Sequence, residues 1–372
     1  MRLCGRLDPA KFCPVVLLPE EGPLSDILRG SKVEVHIFPS LRVMTRPVLK
    51  SWKIVPWLAG FLPSTVSLAN ILRRERISLV HTNTGVICSS ALAAKIVGVP
   101  HVWHIRDWFQ EFGPLWKPYS RYILSLSDRV LCVSTPIAGQ FPPSPKITVL
   151  NNGFDLAEFP KISPAEKAAA RQRFGLATGD LIVGTVGRIK FVRKGQEFLL
   201  KAAALLNSRE VRVKVLLVGG AAPGAEDQME KMKRLASELG IASSVVFAGE
   251  LTDPRAAYAA MDIFVLPSAQ PEPFGGVVME AMALGLPVIG TAIGGTTEQI
   301  SDRVTGLLVP PADAEALAAA ILRLLDDPSL RLRMGVAARD RIANNFSLDG
   351  MVEHLKCIYE SHIIFKEKHP RL

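Results

Sequence analysis

Two residue clusters offer most of the chemistry open to this 372-residue sequence. The first is Gly187-Arg188-Ile189, at the end of the apolar run 181–186, followed by Lys194-Gly195. Gly187 lets the backbone approach a ligand closely. Arg188 and Lys194, at and just past a strand end, can flank a diphosphate, and such charge-assisted hydrogen bonds are each worth roughly 1.5–3 kcal/mol. Taken alone, the pair reads more readily as two solvated loop cations. The second cluster is Pro271-Glu272-Pro273-Phe274-Gly275-Gly276-Val277-Val278-Met279-Glu280. Gly275-Gly276 opens a helix, whose first N–H groups and positive end point at the strand-end crevice. Glu272 lies just before that helix and Glu280 about one turn inside it. Carboxylates suit the hydroxyls of a sugar or ribose, because each oxygen accepts hydrogen bonds. Solvent-facing acids on a capped helix are the alternative. Glu280, however, leads into Ala281-Met282-Ala283-Leu284, which predicts a partner within the fold.

Two weaker signals accompany these. Gly294-Gly295-Thr296-Thr297-Glu298 reads as a flexible turn with a hydroxyl-rich helix start. His101 and His104 are three apart on an extended run and so face opposite sides. His104 is nearer the carboxyl end and is the candidate for a ligand contact, with a satisfied core histidine as the alternative.

The elements that must position these residues show as short, continuous Val/Ile/Leu runs, the pattern of parallel strands buried on both faces. In the first half they fall at 14–18, 33–37, 77–80, 101–105, 129–133 and 147–150. In the second they fall at 181–186, 213–218, 245–248, 263–266, 288–290 and 306–309, with helices at 196–206, 226–239, 253–260, 277–283 and 314–325. This alternation predicts βαβ units and an α/β class, with two doubly wound parallel-sheet domains facing each other across a cleft. The polar, turn-rich stretch 151–164 reads as the linker. The expected domains are 1–160, 161–345 and a C-terminal helical segment 346–372 that covers one domain or bridges both. Ligands in such sheets bind at the carboxyl ends of strands.

Charge and composition narrow the class. Residues 1–150 hold 18 Lys/Arg against 9 Asp/Glu, whereas the remainder holds 26 of each, so the net +9 belongs to the first part. A basic half suits an anionic partner: a membrane surface, a phosphorylated substrate or nucleic acid. Nucleic acid is disfavoured, since no aromatic or helix-turn-helix signature accompanies the charge. No G-x-G-x-x-G follows a predicted strand and no Walker loop occurs, which disfavours dehydrogenases and nucleotide triphosphatases. Five scattered Cys without a C-x-x-C pair argue against a disulfide framework and for a reducing compartment. The uncharged stretch 54–72 contains Pro56 and Pro63 and reads as too polar and broken to span a bilayer. A buried helix is expected there. The alternative is a helix lying on a membrane with Trp52 and Trp57 as anchors.

The combined order of Gly187-Arg188, Lys194-Gly195, the Glu272/Glu280 pair around Pro-Phe-Gly, Gly-Leu-Pro-Val-Ile and Gly-Gly-x-x-Glu resembles glycosyltransferase family 4. That resemblance covers most of the chain and is strongest over 181–309. It implies a Rossmann-like, two-domain GT-B fold and a retaining transfer from a nucleoside-diphosphate sugar to a lipid-linked or polysaccharide acceptor. By resemblance, Arg188 and Lys194 hold the donor diphosphate, Glu280 binds the ribose hydroxyls and Glu272 contacts the donor sugar. Gly187 and the backbone of Phe274, Gly275 and Gly276 cradle sugar and phosphate, His104 faces the donor sugar, and Asn152-Gly153 lines the cleft. No Asp-x-Asp occurs, so no metal or other cofactor is implied. Neutralising the leaving group falls to the two cations. The implied location is cytoplasmic, at the inner face of the plasma membrane. The sequence departs from the family's usual opening of an apolar strand, a glycine-rich loop and a helix. Residues 3–19 instead resemble the tail of that helix and the family's second strand, which predicts a truncated chain or a late start codon. The competing readings are a sugar-nucleotide-binding protein without turnover and a sugar-nucleotide epimerase of the same fold.

Overall fold

The computed structural model describes residues 3–49, 51–222 and 224–368. The chain divides into two units, Met1–Gly153 with Leu348–Leu372, and Phe154–Ser347.

In the second unit six parallel strands form one sheet: β7 (Ile182–Val186), β8 (Lys214–Val218), β9 (Val245–Gly249), β10 (Ile263–Leu266), β11 (Val288–Thr291) and β12 (Gly306–Val309). Their order is β12-β11-β10-β7-β8-β9. The order reverses between β7 and β10, which are neighbours in the sheet but distant in sequence. A doubly wound sheet opens its ligand crevice beyond the strand ends at that switch point. β7 and β10 are nearly all buried because helices cover both faces, as their unbroken apolar character demands. The Gln196–Asn207 and Ala314–Asp326 helices pack on one face, placing Leu199, Leu200, Ile321 and Leu324 against Val183 and Val265. The strand ranges expected from sequence agree to within a residue or two. The Pro328–Asn345 helix lies outside the expected elements, because Arg331, Arg333, Arg339 and Arg341 break up the apolar stripe of Met334, Ala338 and Ile342.

The first unit carries β1 (Val15–Leu18), β2 (Glu34–Ile37), β3 (Val80–Thr82), β4 (His101–Ile105), β5 (Arg129–Cys132) and β6 (Ile147–Val149). β1 and β2 pair as a sheet of their own, and the other four run in the order β3-β4-β5-β6, all parallel. β3 lies later than the expected 77–80. The Ile77 N–H is taken by the carbonyl of Leu72, closing the preceding helix, and the ladder begins only at Val80 opposite His101. The C-terminal helix Leu348–Lys368 lies on this sheet, where Leu355, Ile358 and Tyr359 pack with Val102, Leu131 and Leu150.

The stretch 54–72 corrects the expectation of a buried helix. It folds as two helices, Ile54–Ala59 and Phe61–Arg74. Leu68, Ala69 and Leu72 enter a core with Phe38, Leu41 and Ala93. Leu58, Leu62 and Val66 remain exposed. Trp57 is no outward anchor, since its indole N–H donates to the Val43 carbonyl at 3.2 Å and its ring lies against Phe61.

Candidate active site

The first cluster leaves the carboxyl end of β7. Gly187 adopts φ 151°, and open space lies where a side chain would be. Arg188 comes next, its side chain exposed and without a hydrogen bond or ion pair to another described residue, while its carbonyl accepts from Gln196 Nε2 at 3.0 Å. A tight turn then carries the chain to Lys194, whose N–H bonds the Lys190 carbonyl at 3.0 Å. The turn is tied across the switch point: Ala269 and Gln270, just past β10, both donate their N–H to the Arg193 carbonyl, at 3.1 and 3.2 Å. Gly195 permits this approach. It sits at φ 67°, and a Cβ there would lie 1.8 Å from the Pro267 carbonyl oxygen. A residue with a side chain could not occupy 195 without parting the two loops.

That junction brings the two clusters into contact. The Lys194 ammonium lies 2.7 Å from Glu272 Oε1, and the Ser268 hydroxyl donates to the same oxygen at 3.1 Å. Glu272 is held from behind as well. Its carbonyl accepts from the Gly295 N–H at 2.8 Å, and a Cβ on Gly294 would lie 2.5 Å from that carbonyl. The weak Gly-Gly signal after β11 is thus the close backbone packing that seats Glu272.

The Gly276–Ala283 helix starts beside these loops. Of the backbone expected to form a cradle at Phe274, Gly275 and Gly276, the Gly275 groups are engaged within the fold. The Gly275 N–H is given to Gln299 Oε1 at 3.2 Å and its carbonyl accepts from Gln299 Nε2 at 2.9 Å. The Phe274 ring is buried against Phe346. Gly276 is partly exposed and starts the helix, so its N–H has no intrahelical acceptor. Glu280 has the partner expected of it: the Tyr258 hydroxyl donates to Oε2 at 2.7 Å. Burial first, then the Glu280 charge, pushes the Tyr258 hydroxyl well above its ordinary pKa, so it stays a donor. Glu280 does not touch Lys194 or Glu272; the three share the β7–β10 end of the sheet, not one contact. Sequence reasoning missed Ser268, Tyr258 and Gln299. Of these, Ser268 carries a readable signal, two residues past a strand end beside the switch point.

The remaining candidates, His104, Asn152 and Gly153, belong to the first unit. His104 is 1% exposed, near the carboxyl end of β4. Its ring stacks on His81 with centroids 5.5 Å apart, and its Nε2 is buried without a partner. Burial above all, with the nearby Arg106 and His81, drives its pKa well below the ordinary value, so the ring is neutral. His101 faces the other way, as expected, with Nε2 2.8 Å from Thr82 Oγ1. Arg106, two residues beyond His104 and so on the same face, donates to Asn83 and to Asn152, which fixes the Asn152 carboxamide. The Gly153 N–H points at Met351 Sδ, 3.2 Å away. Among the described residues the one group with ligand atoms gathered as around a metal is Glu34, His36 and Glu75, and it includes none of the candidates above.

The model for glycosyl transferases group 1 matches residues 166–341, and that for glycosyltransferase family 4 matches residues 2–158. The chain belongs to the family 4, group 1 glycosyltransferases. It is similar to the D-inositol 3-phosphate glycosyltransferase of Salinispora arenicola, with 34% identity over 254 residues, 64% of this chain and 55% of that protein. The protein of the same name from Mycolicibacterium smegmatis is 32% identical over 313 residues, 81% of this chain and 66% of its own length. The chain thus spans little more than half of the first of these relatives. Among solved structures, Anabaena Alr3699/HepE in complex with UDP superposes with a TM-score of 0.80 at 25% identity, over 93% of this chain and 92% of that one. The two parallel-sheet α/β units are those of a GT-B fold.

Proposed function

We propose that this chain transfers a sugar from a nucleoside-diphosphate sugar to an anionic acceptor, lipid-linked or polysaccharide, with retention and without a metal. The observation that carries the reading is the Lys194–Glu272 contact at the β7–β10 switch point, which joins the Arg188/Lys194 cluster to the Glu272/Glu280 cluster. In this reading Arg188 and Lys194 grip the pyrophosphate and take up the charge that develops as the nucleoside diphosphate departs from an oxocarbenium-like sugar. Glu280, steadied by Tyr258, accepts from the ribose hydroxyls. Glu272 accepts from the donor sugar, and the Gly276 N–H adds a helix-end donor toward phosphate. The UDP complex of the Anabaena neighbour supports a uridine donor. The absence of Asp-x-Asp from the sequence motivates metal independence.

The relatives' name favours a second acceptor, a phosphorylated polyol, which would suit the basic first part equally well. The test is transfer of radiolabelled sugar from a panel of nucleotide sugars, with EDTA present, into membrane lipid extract, polysaccharide or inositol phosphate. Label in lipid or polysaccharide with an unchanged anomeric configuration supports the first reading. Label confined to inositol phosphate supports the second. Donor turnover without any acceptor points to an epimerase or hydrolase and refutes both.

A further inference from the structure

We propose that the Ile54–Arg74 segment is a membrane-docking face, seating the first unit on a bilayer that contains anionic phospholipid. Among the described residues thirteen large apolar side chains are exposed, and five of them fall between 52 and 66. Trp52 is 76% exposed, and Val55, Leu58, Leu62 and Val66 are each more than half exposed. The last four are spaced by three, four and four residues, one stripe along the helical direction. Gly60 between the two helices keeps a helical φ of −85°, so the stripe runs on across the junction. The other side of the Phe61–Arg74 helix, through Ser64, Thr65, Leu68, Ala69 and Leu72, is buried in the first unit. By length and composition 54–74 could cross a membrane. A helix built into a core by one face cannot cross, and lies in the interface instead.

Charge identifies the occupant. Residues 35–74 contain six Lys/Arg and no Asp or Glu. Lys53 immediately precedes the first helix, and Arg73 lies seven residues past Val66, two turns on along the same stripe. Arg42 lies over the helix junction, where a Cβ on Gly60 would meet its guanidinium. Cations around an apolar stripe with an interfacial tryptophan match a surface of anionic headgroups over acyl chains. A second copy of the chain would set these cations against their own kind.

This surface does not depend on the transferase reading, and its test needs no donor. Full-length protein is floated with phosphatidylcholine vesicles, with or without phosphatidylglycerol, at low and high salt. Binding should require phosphatidylglycerol and weaken with salt. The Leu58→Gln/Leu62→Gln variant should partition at least tenfold less, since burial of one leucine is worth about that factor. In case that variant misfolds, Trp52→Ser, which lies outside both helices, should also weaken binding, and Trp52→Phe should lose most of the fluorescence quenching by brominated lipid. Binding indifferent to all three variants would overturn the proposal, as would absence of binding. Concentration-dependent dimerisation abolished by Leu58→Gln/Leu62→Gln, without vesicle binding, would assign the stripe to a second copy and overturn it too.

Discussion

The Lys194 ammonium and the Glu272 carboxylate already partly neutralise each other, at 2.7 Å and with side chains 27% and 12% exposed. In the proposed transfer an incoming diphosphate would share that ammonium, whereas the exposed Arg188 makes no hydrogen bond or ion pair to another described residue. The two cations should therefore behave differently on truncation. Arg188→Ala and Lys194→Ala should each lower kcat/KM by about 10²–10³, the usual cost of losing one donor to a developing anion. Only Lys194→Ala also strips a largely buried carboxylate of its partner, so calorimetry should show a lowered Tm for it and an unchanged one for Arg188→Ala. If Glu280 holds the ribose as proposed, Tyr258→Phe, which removes a hydrogen bond to that charged group, should raise the donor KM about tenfold with kcat nearly unchanged. An equal fall in kcat would place Tyr258 in the chemical step instead. The charged residues at strand ends stood out only in combination, because each alone reads equally as a solvated loop charge while their joint order carries the family resemblance. Their partners did not stand out. Tyr258 and Gln299 reach the site from helices whose sequence neighbourhoods report only packing, and Arg106 betrays itself only by lying two residues from His104, just past the end of β4.

Loops tied to loops hold the site, and glycine decides whether they can meet. Gly195→Ala would combine a left-handed φ of 67° with a Cβ 1.8 Å from the Pro267 oxygen. A loss of about 2 kcal/mol or more is expected, with activity falling further than stability because Lys194 moves away from Glu272. Chemical denaturation beside steady-state kinetics separates the two effects. The same turn carries Val192 at φ 69°, an unusual conformation for a β-branched residue. The Val192 N–H donates to Glu197 Oε1 at 2.8 Å, and Glu197 is 3% exposed. Burial, its largest influence, raises the Glu197 pKa. Glu197→Gln keeps an acceptor for Val192 and should leave kinetics nearly intact, whereas Glu197→Ala should free the turn and reduce kcat. The strands were legible because period and composition report burial on both faces. The turn at 190–194 was not, since nothing local in Phe-Val-Arg-Lys announces a left-handed valine. The 54–72 stretch misled because a half-buried amphipathic helix and a buried one share the same composition when the outward face is apolar.

Across the full chain, titration and charge are divided unevenly, and the first unit carries three neutral imidazoles, His101 and His104 buried and His81 partly so. Burial lowers His81 to about 4 and His101 to about 3 from an ordinary 6.5, and lowers His104 well below its usual range. The unfolded chain takes up protons on all three as pH falls through 6.5, while the folded chain takes up none until about 4. Stability is therefore full above 6.5 and declines as pH falls from there toward 4, by up to about 1.4 kcal/mol per pH unit for each histidine. All five tryptophans lie between residues 52 and 116, so tryptophan fluorescence follows this unit alone. Urea unfolding at pH 7, 6 and 5 should show the decline, and His101→Gln should reduce its slope by about one third. A midpoint independent of pH would mean that the imidazoles are protonated within the fold. Charge is divided along the same boundary: the unit with an apolar stripe holds the net positive charge, and the unit with Arg188 and Lys194 is balanced.

The proposed transfer requires one ligand to bridge Arg188 and Lys194 at its diphosphate and Glu280 at its ribose. Calorimetric titration of the full chain with UDP and UDP-sugars, alongside Arg188→Ala, Lys194→Ala and Glu280→Gln, decides whether that bridge exists. The unaltered protein should bind, and each variant should bind more weakly by about tenfold or more. Uridine, which lacks the phosphates, should be sensitive to Glu280→Gln alone. A nucleotide sugar whose affinity survives both Arg188→Ala and Glu280→Gln would refute the bridge, and the transfer mechanism with it.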